Sequence, residues 1–362
     1  MPWAGLTFKK PHSTIKTERT SQGGRAMPSV TLGRTGITVD KNAFGALPIQ
    51  RVSFEEADAI LKKAFEGGIF FYDTARNYSD SEEKLGRSLS SVRNRICIAT
   101  KTSKTTVEGF WADLRISLDK LKTDHVDIYQ FHNPSFVPKP GDGTGLYEAM
   151  LEARRQGLIR FIGISNHRLP LAEDAVRSGL YDTLQFPFSY LADPKEQALV
   201  RLCRDSGVGF IAMKALSGGL IKSARAASAF MSRFDNVLPI WGIQRMEELE
   251  EFLSFIYNPP SMTPELQALI DTDRQELFGS FCRGCGYCLP CPAGIEIPTC
   301  ARMSLLLRRA PAQGFLSPEW QVKMAKIDDC IECMHCSSHC PYGLDTPALL
   351  KANYADYKTF LR

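Results

Sequence analysis

At 362 residues, with 44% hydrophobic and 23% charged residues, the chain is long enough for one large core and a smaller second one. Its net charge of +4 is accounted for by the first 26 residues, where Lys9, Lys10, Lys16, Arg19 and Arg25 stand against Glu18. The remainder is neutral, which excludes the basic footprint of a nucleic-acid binder. No run of 18 apolar residues offers a membrane span, and the first 26 residues lack the apolar centre of a secretory signal, so a cytoplasmic chain without a membrane partner is expected.

Residues 1–27 read as a disordered tail. A hairpin from Val30 to Val39, turning at Gly33-Arg34-Thr35-Gly36, is expected to plug one end of the domain built by the later strands. Ser53 with Glu56 forms a capping box for a helix whose Phe54, Ala57, Ile60, Leu61, Ala64 and Phe65 recur at helical spacing until Gly67-Gly68. Asp80 is expected to cap the next helix, with Glu83 three residues on. A helix with Val107, Trp111, Leu114, Leu118 and Leu121 on one face comes third. Apolar strands are expected at 42–49, 69–73, 96–100, 126–131, 159–164, 183–186, 209–213 and 237–241, and later helices near 146–156, 169–178, 194–205, 222–233 and 246–256.

Eight strands each followed by a helix predict an α/β fold of the (β/α)8 TIM-barrel type over 28–258. No Gly-x-Gly-x-x-Gly follows the first strand, which argues against an open doubly wound sheet. Past Pro259-Pro260 the strands cease. Thr263 and Pro264 start a linker helix within 259–280, and 281–362 reads as a small α-helical domain.

In such barrels chemistry sits at the C-terminal ends of the strands. The second strand ends at Asp73 and presents Tyr78 after a short turn; the third ends at Lys101 and the fourth at His132. Each has an ordinary alternative role: a cap, a pocket aromatic, a solvated strand end, a satisfied histidine. Together, at three consecutive strand ends, they suit carbonyl chemistry. A phenol with a pKa near ~10 is a sluggish acid at neutral pH unless a cation stabilises its anion. Lys101 supplies the cation, Asp73 holds it, and His132 orients the substrate oxygen.

Phe71-Tyr72-Asp73-Thr74-Ala75-Arg76-Asn77-Tyr78, Lys101 after Ile98-Ala99-Thr100, and His132 after Asp127-Ile128-Tyr129-Gln130-Phe131 resemble the tetrad of the aldo-keto reductases. The resemblance covers about residues 28–256. It implies an oxidoreductase in which Asp73, Tyr78, Lys101 and His132 are catalytic, and in which Ser165 and Asn166 (in Gly163-Ile164-Ser165-Asn166) and Gln185 grip the nicotinamide carboxamide. Backbone N–H groups of Ser217, Gly218, Gly219 and Leu220 would meet a pyrophosphate, and Arg245 a 2′-phosphate, favouring NADPH; the glycines are otherwise a turn and Arg245 a surface cation. Two positions depart from the family: Met213 stands where an aromatic usually stacks, and Phe252 where an asparagine usually reads adenine.

Of the 11 cysteines, Cys97 and Cys203 are isolated in apolar contexts, while nine fall between Cys282 and Cys340. That skew indicates metal ligation rather than a disulfide framework. Cys330-x2-Cys333-x2-Cys336-x3-Cys340-Pro341 has the spacing of bacterial iron–sulfur runs, whose fourth cysteine serves the other cluster. Cys282-x2-Cys285-x2-Cys288-x2-Cys291-Pro292 repeats it with one residue fewer. Crossed ligation therefore predicts two [4Fe–4S] clusters, one on Cys282, Cys285, Cys288 and Cys340, the other on Cys291, Cys330, Cys333 and Cys336. Zinc sites favour paired Cys-x2-Cys knuckles instead. Cys300 is expected to be a packing thiol, although the shortened spacer keeps it available as a ligand; His335 and His339 are expected to support the second cluster without ligating it.

The sequence thus predicts an aldo-keto reductase-like barrel fused to a ferredoxin-like domain, acting on a small-molecule carbonyl or alcohol. Electrons come from NADPH, from the clusters, or from both, and an electron-transfer protein is a further candidate partner. Two other functions fit the same motifs: a nicotinamide-independent ketyl-radical reductase or dehydratase fed by the clusters, and a redox-sensing or partner-binding module.

Overall fold

The computed structural model describes residues 28–277, 281–309 and 312–361, so the expected tail at 1–27 lies outside the described residues. The chain divides into two compact units. One runs through Ala215 and resumes over Ser228–Met262; the other combines Leu216–Ala227 with Thr263–Arg362.

The first unit opens with the antiparallel pair β1 (Ser29–Thr31) and β2 (Thr38–Asp40). Eight strands then close a parallel barrel: β3 (Ala43–Gly45), β4 (Phe71–Asp73), β5 (Cys97–Thr102), β6 (Val126–His132), β7 (Ile159–Ser165), β8 (Thr183–Pro187), β9 (Gly209–Met213) and β10 (Val237–Gly242), with β10 returning to β3. The helices between and after them are α1 (Phe54–Glu66), α2 (Ser81–Leu89), α3 (Val107–Leu121), α4 (Leu146–Arg155), α5 (Leu169–Arg177), α6 (Pro194–Asp205), α7 (Ala224–Met231) and α8 (Met246–Tyr257). The fold is the (β/α)8 barrel that the alternation of strands and helices predicts.

The hairpin closes the end of the barrel where the strands begin. Val30, Leu32, Ile37 and Val39 pack into one apolar cluster with Ala43, Phe71, Cys97, Ile128, Ile211 and Leu238 from the strands. Arg34 ties the turn down by donating to the carbonyls of Gly179, Ser206 and Gly207. Gly33 makes a bridge to Val208, and a Cβ on Gly33 would lie 2.3 Å from the carbonyl oxygen of Gly207, so only glycine fits there. With that end filled, the opposite end is left for chemistry.

Two helix details differ from the expectation raised by the sequence. Ser53 caps α1 in a complete capping box, but the Asp80 side chain makes no cap bond; it pairs at 2.8 Å with Lys84, whose buried ammonium also donates to the carbonyls of Ile49 and Val52. A buried ammonium needs that anion more than the helix end does. In α3 the buried stripe is Phe110, Asp113, Leu114, Ser117 and Leu121. It is rotated from the expected face because Thr102 donates to Asp113 at 2.6 Å and draws a polar position inward.

The second unit is helical: α9 (Pro264–Glu276), α10 (Ile297–Cys300), α11 (Met303–Arg309), α12 (Pro318–Ala325), α13 (His335–Ser338) and α14 (Thr346–Thr359). Its core joins Ile295, Ile297, Met303, Leu307, Met324, Ile327, Leu350 and Tyr357 to Cys282, Cys288, Cys300 and Cys336. Arg309 pins the Leu216–Ala227 segment to this unit. Its buried guanidinium donates to the Leu220 carbonyl at 3.0 Å and pairs with Asp273 and Glu276 of α9. Arg302 does the same for Gly218, donating to its carbonyl at 2.9 Å. Among the described residues no helix is long and apolar enough to cross a membrane.

Candidate active site and cysteine cages

The barrel register sets the polar groups side by side. Asp73 pairs with Ala99, Lys101 with Gln130, and His132 with Ser165, which in turn pairs with Gln185. Asp73, Tyr78, Lys101 and His132 come together at the C-terminal end of β4, β5 and β6. Lys101 Nζ lies 2.7 and 2.8 Å from the two Asp73 oxygens and also donates to the Thr74 carbonyl at 2.6 Å. The same ammonium stands 5.3 Å from the centre of the Tyr78 ring. The ring in turn meets His132 edge to face at 5.7 Å.

Local structure fixes the turn that presents Tyr78. Its N–H donates to Ala75, the Arg76 N–H donates to the Lys101 carbonyl at 3.0 Å, and Thr74 Oγ1 meets Ser81 Oγ at 2.9 Å. Glu82, buried at the start of α2, accepts from Thr100 at 2.6 Å and pairs with Arg76. These contacts anchor the tyrosine-bearing turn to both β5 and α2.

Burial acts on the charges in opposite directions. It pushes the Asp73 carboxyl up and the Lys101 ammonium down, and each group's charge partly restores the other. Both remain charged on geometric grounds, since the ammonium donates to three oxygens and the carboxylate accepts from three side chains. Burial, assisted by Lys101, pushes the His132 imidazole down to about 3, so the ring is neutral at physiological pH. Its Nδ1 is enclosed without a hydrogen-bond partner among the described residues.

Gln185 and Gln130 complete the network. Gln185 donates to Asp73 Oδ1 at 3.2 Å; Gln130 donates to Asp73 Oδ2 at 3.4 Å and to Gln185 Oε1 at 2.9 Å. Gln130 is not among the residues that the sequence singles out. The signal was there: in a strand with period two it lies on the same face as His132, and it is a polar residue amid apolar ones.

The other expected nucleotide residues have varied surroundings. Ser165 is buried and its hydroxyl accepts from Asn133 N–H at 3.2 Å. Asn166 donates to Pro134 and accepts from Arg168 N–H. Met213 and Phe252 are both buried, Phe252 stacked on Trp241 at 4.5 Å. Arg245 is exposed at the start of α8, in an ion pair with Glu248 at 2.7 Å. Ser217, Gly218, Gly219 and Leu220 group with the helical unit, and the carbonyls of Gly218 and Leu220 are taken by Arg302 and Arg309.

In the helical unit the thiols are sorted into two cages. Cys282, Cys285, Cys288 and Cys340 line one cavity, which Cys336 also reaches; Cys291, Cys330, Cys333 and Cys336 line the other, which Cys288 also reaches. Among the described residues no three of His, Cys, Asp and Glu are gathered as a single metal ion requires. Both runs follow the same backbone path. Gly284 and Gly286 have φ of +63° and +83°, and at the matching places Glu332 and Met334 have +52° and +57°. Gly284 N–H points at Cys282 Sγ, 3.4 Å away. Cys333 is exposed, whereas Cys300 is fully buried, donates toward the Lys323 carbonyl at 3.9 Å and has its thiol pushed up to about 12 by burial.

The aldo/keto reductase family model matches residues 41–264. The chain belongs to the aldo/keto reductase family. A second model, the 4Fe-4S dicluster domain, matches residues 281–345, so this family member carries an iron–sulfur domain after its barrel. It is similar to methylglyoxal reductase DkgB of Salmonella typhi, 39% identical over 142 residues, covering 37% of this chain and 51% of that protein. It is also similar to L-galactose dehydrogenase of Arabidopsis thaliana, 30% identical over 210 residues, covering 52% of this chain and 66% of that one. The chain thus spans about half to two thirds of the length of these curated relatives. Among solved structures, an aldo/keto reductase from Klebsiella pneumoniae in complex with NADP and acetate shares the fold, with a TM-score of 0.58 and 21% identity, covering 68% of this chain and 95% of that one.

Proposed function

We propose that this aldo/keto reductase reduces a small-molecule carbonyl, or oxidises the alcohol, with Tyr78 as the acid–base. The observation that carries this reading is the buried Lys101 ammonium held between Asp73 and the Tyr78 ring. In the reducing direction Tyr78 gives its hydroxyl proton to the substrate oxygen as charge builds there. Lys101 stabilises the phenolate left behind, and Asp73 keeps the ammonium charged and in place. His132, being neutral, offers a single N–H to the substrate oxygen and no competing proton.

NADPH, when bound, supplies the hydride. Ser165, Asn166 and Gln185 are the proposed carboxamide contacts, Ser217, Gly218, Gly219 and Leu220 the proposed pyrophosphate contacts, and Arg245 the proposed 2′-phosphate contact. The fit is uneven. Arg245 is exposed with only a surface ion pair to give up, which costs about 0–1 kcal/mol, whereas Gln185 is already engaged by Asp73.

In the helical unit two [4Fe–4S] clusters, when bound, supply one-electron transfer. Cys282, Cys285, Cys288 and Cys340 are the proposed ligands of one, and Cys291, Cys330, Cys333 and Cys336 of the other. Two cavities, each lined by five cysteines drawn from both runs with Cys288 and Cys336 shared, suit this crossed set. An electron-transfer protein is a further proposed partner, motivated by the exposure of Cys333.

A second reading, reduction without nicotinamide, draws support from one observation: the Gln185 amide is spent on Asp73. Anaerobic preparation, iron and sulfide analysis, and NADPH titration followed by fluorescence and cluster absorbance separate the two. Saturable NADPH binding with turnover of a carbonyl panel supports the first; bound iron without NADPH binding supports the second. Absence of iron would remove both cluster assignments.

A further inference from the structure

Gln130 stands out because the barrel makes room for it. It is fully buried, in register with Lys101 on one side and Gly163 on the other. A Cβ on Gly163 would lie 2.8 Å from Gln130 Cγ and 2.5 Å from Thr183 Oγ1, so the glycine is what allows a long amide at this position. The amide then uses both of its N–H groups, one toward Asp73 and one toward Gln185, while its own oxygen finds no partner among the described residues. Leaving a buried carbonyl unpaired costs about 1–3 kcal/mol. An apolar side chain would avoid that cost, so the donors must serve the two acceptors.

Resting on the functional reading above, we propose that Gln130 is a positioning residue that keeps Asp73 ionised and leaves it an amide donor when Gln185 turns toward a nicotinamide carboxamide. With Gln130 in place, Asp73 retains an amide donor if Gln185 rotates away, and the Lys101 ammonium keeps its counter-charge through nucleotide binding. Without it, each departure of Gln185 leaves Asp73 with Lys101 as its remaining side-chain donor. The groups facing Asp73 are few: Lys101 from β5, the two amides from β6 and β8, and, beyond the ammonium, Tyr78 and the neutral His132. A bond to the ionised carboxylate lowers the carboxyl's pKa, so its removal raises it. The loss is felt above that pKa and vanishes below it.

The test is Gln130→Met, which keeps length and shape but removes both donors. Urea midpoints of the full chain, wild type against variant, are compared between pH 5 and 8. The expected result is a deficit largest at pH 8 that shrinks as the pH falls; a deficit equal at every pH, or none, overturns the proposal. If Gln130→Met does not accumulate in folded form, Gln130→Leu serves: it removes the same two donors with a branched apolar side chain, the same shrinking deficit is expected, and a flat profile again overturns. In turnover, the acid limb of kcat/KM is expected to move to higher pH in Gln130→Met, with a plateau kcat lowered less than about tenfold. A wild-type protein that reduces no carbonyl overturns the functional reading, while the urea series still decides the role of Gln130.

Discussion

Lys101 holds its ammonium 5.3 Å from the centre of the Tyr78 ring while gripping both oxygens of Asp73. A cation so placed favours the phenolate over the phenol, and the effect is undiluted by water because the lysine is buried.

Tyr78→Phe is expected to lower kcat for any carbonyl substrate by roughly 10²–10⁴-fold, the usual worth of a positioned proton donor. NADPH affinity should be unchanged. Steady-state kinetics beside a fluorescence titration checks both, and full turnover in the variant would move the acid–base role elsewhere.

Lys101→Met is expected to cost about 3–5 kcal/mol of stability at neutral pH, because it strands the Asp73 carboxylate in the barrel. Asp73 escapes by taking up a proton, so the deficit should shrink as the pH falls. The double variant Asp73→Asn/Lys101→Met should recover part of the loss. Denaturation of the three variants between pH 5 and 8 measures the coupling.

His132 carries a different signature. Its folded-state pKa, near 3, lies below the ordinary histidine value of 6.5, so its contribution is present in full above pH 6.5 and is lost as the pH falls toward 3. Compared with His132→Gln, the wild type should therefore lose ground on acidification. A stability gap between the two that stays constant from pH 7 to 4 would show that the ring is not held neutral.

For the cysteine cages, Cys333→Ser is expected to remove about four irons and four sulfides per chain, and Cys300→Ser none. Cys300 has no place around either cavity, whereas Cys333 lines one. Anaerobic iron and sulfide analysis decides; iron loss from Cys300→Ser would place that thiol among the ligands instead.

Much of this was legible in the chain because the barrel writes itself as short apolar strands ending in polar residues, and because thiol spacing is nearly a geometric drawing of a cubane. What escaped was cross-strand. Gln130 matters through residues 57 and 55 positions away, and the rotation of α3 comes from a bond between Asp113 and a strand threonine. Asp80 looked like a cap because sequence shows the helix end but not the buried Lys84 beside it. Nor did the glycine-rich turn announce that Arg302 and Arg309 would take up its carbonyls. Local rules see neighbours along the chain, and these partners are neighbours only after closure.

The kinship of Leu216–Ala227 with the helices beyond Met262 bears on how such a protein is assembled and inherited. A ferredoxin-like tail added by simple gene fusion would be detachable, and trimming the gene at its seam would return a self-sufficient barrel. Here the segment that follows β9 and runs into α7 belongs with the helical unit, held there by the grip of Arg309 on Leu220. The two modules are therefore no longer interchangeable parts. A shortened gene product ending at the seam would lack the arginine that this loop depends on.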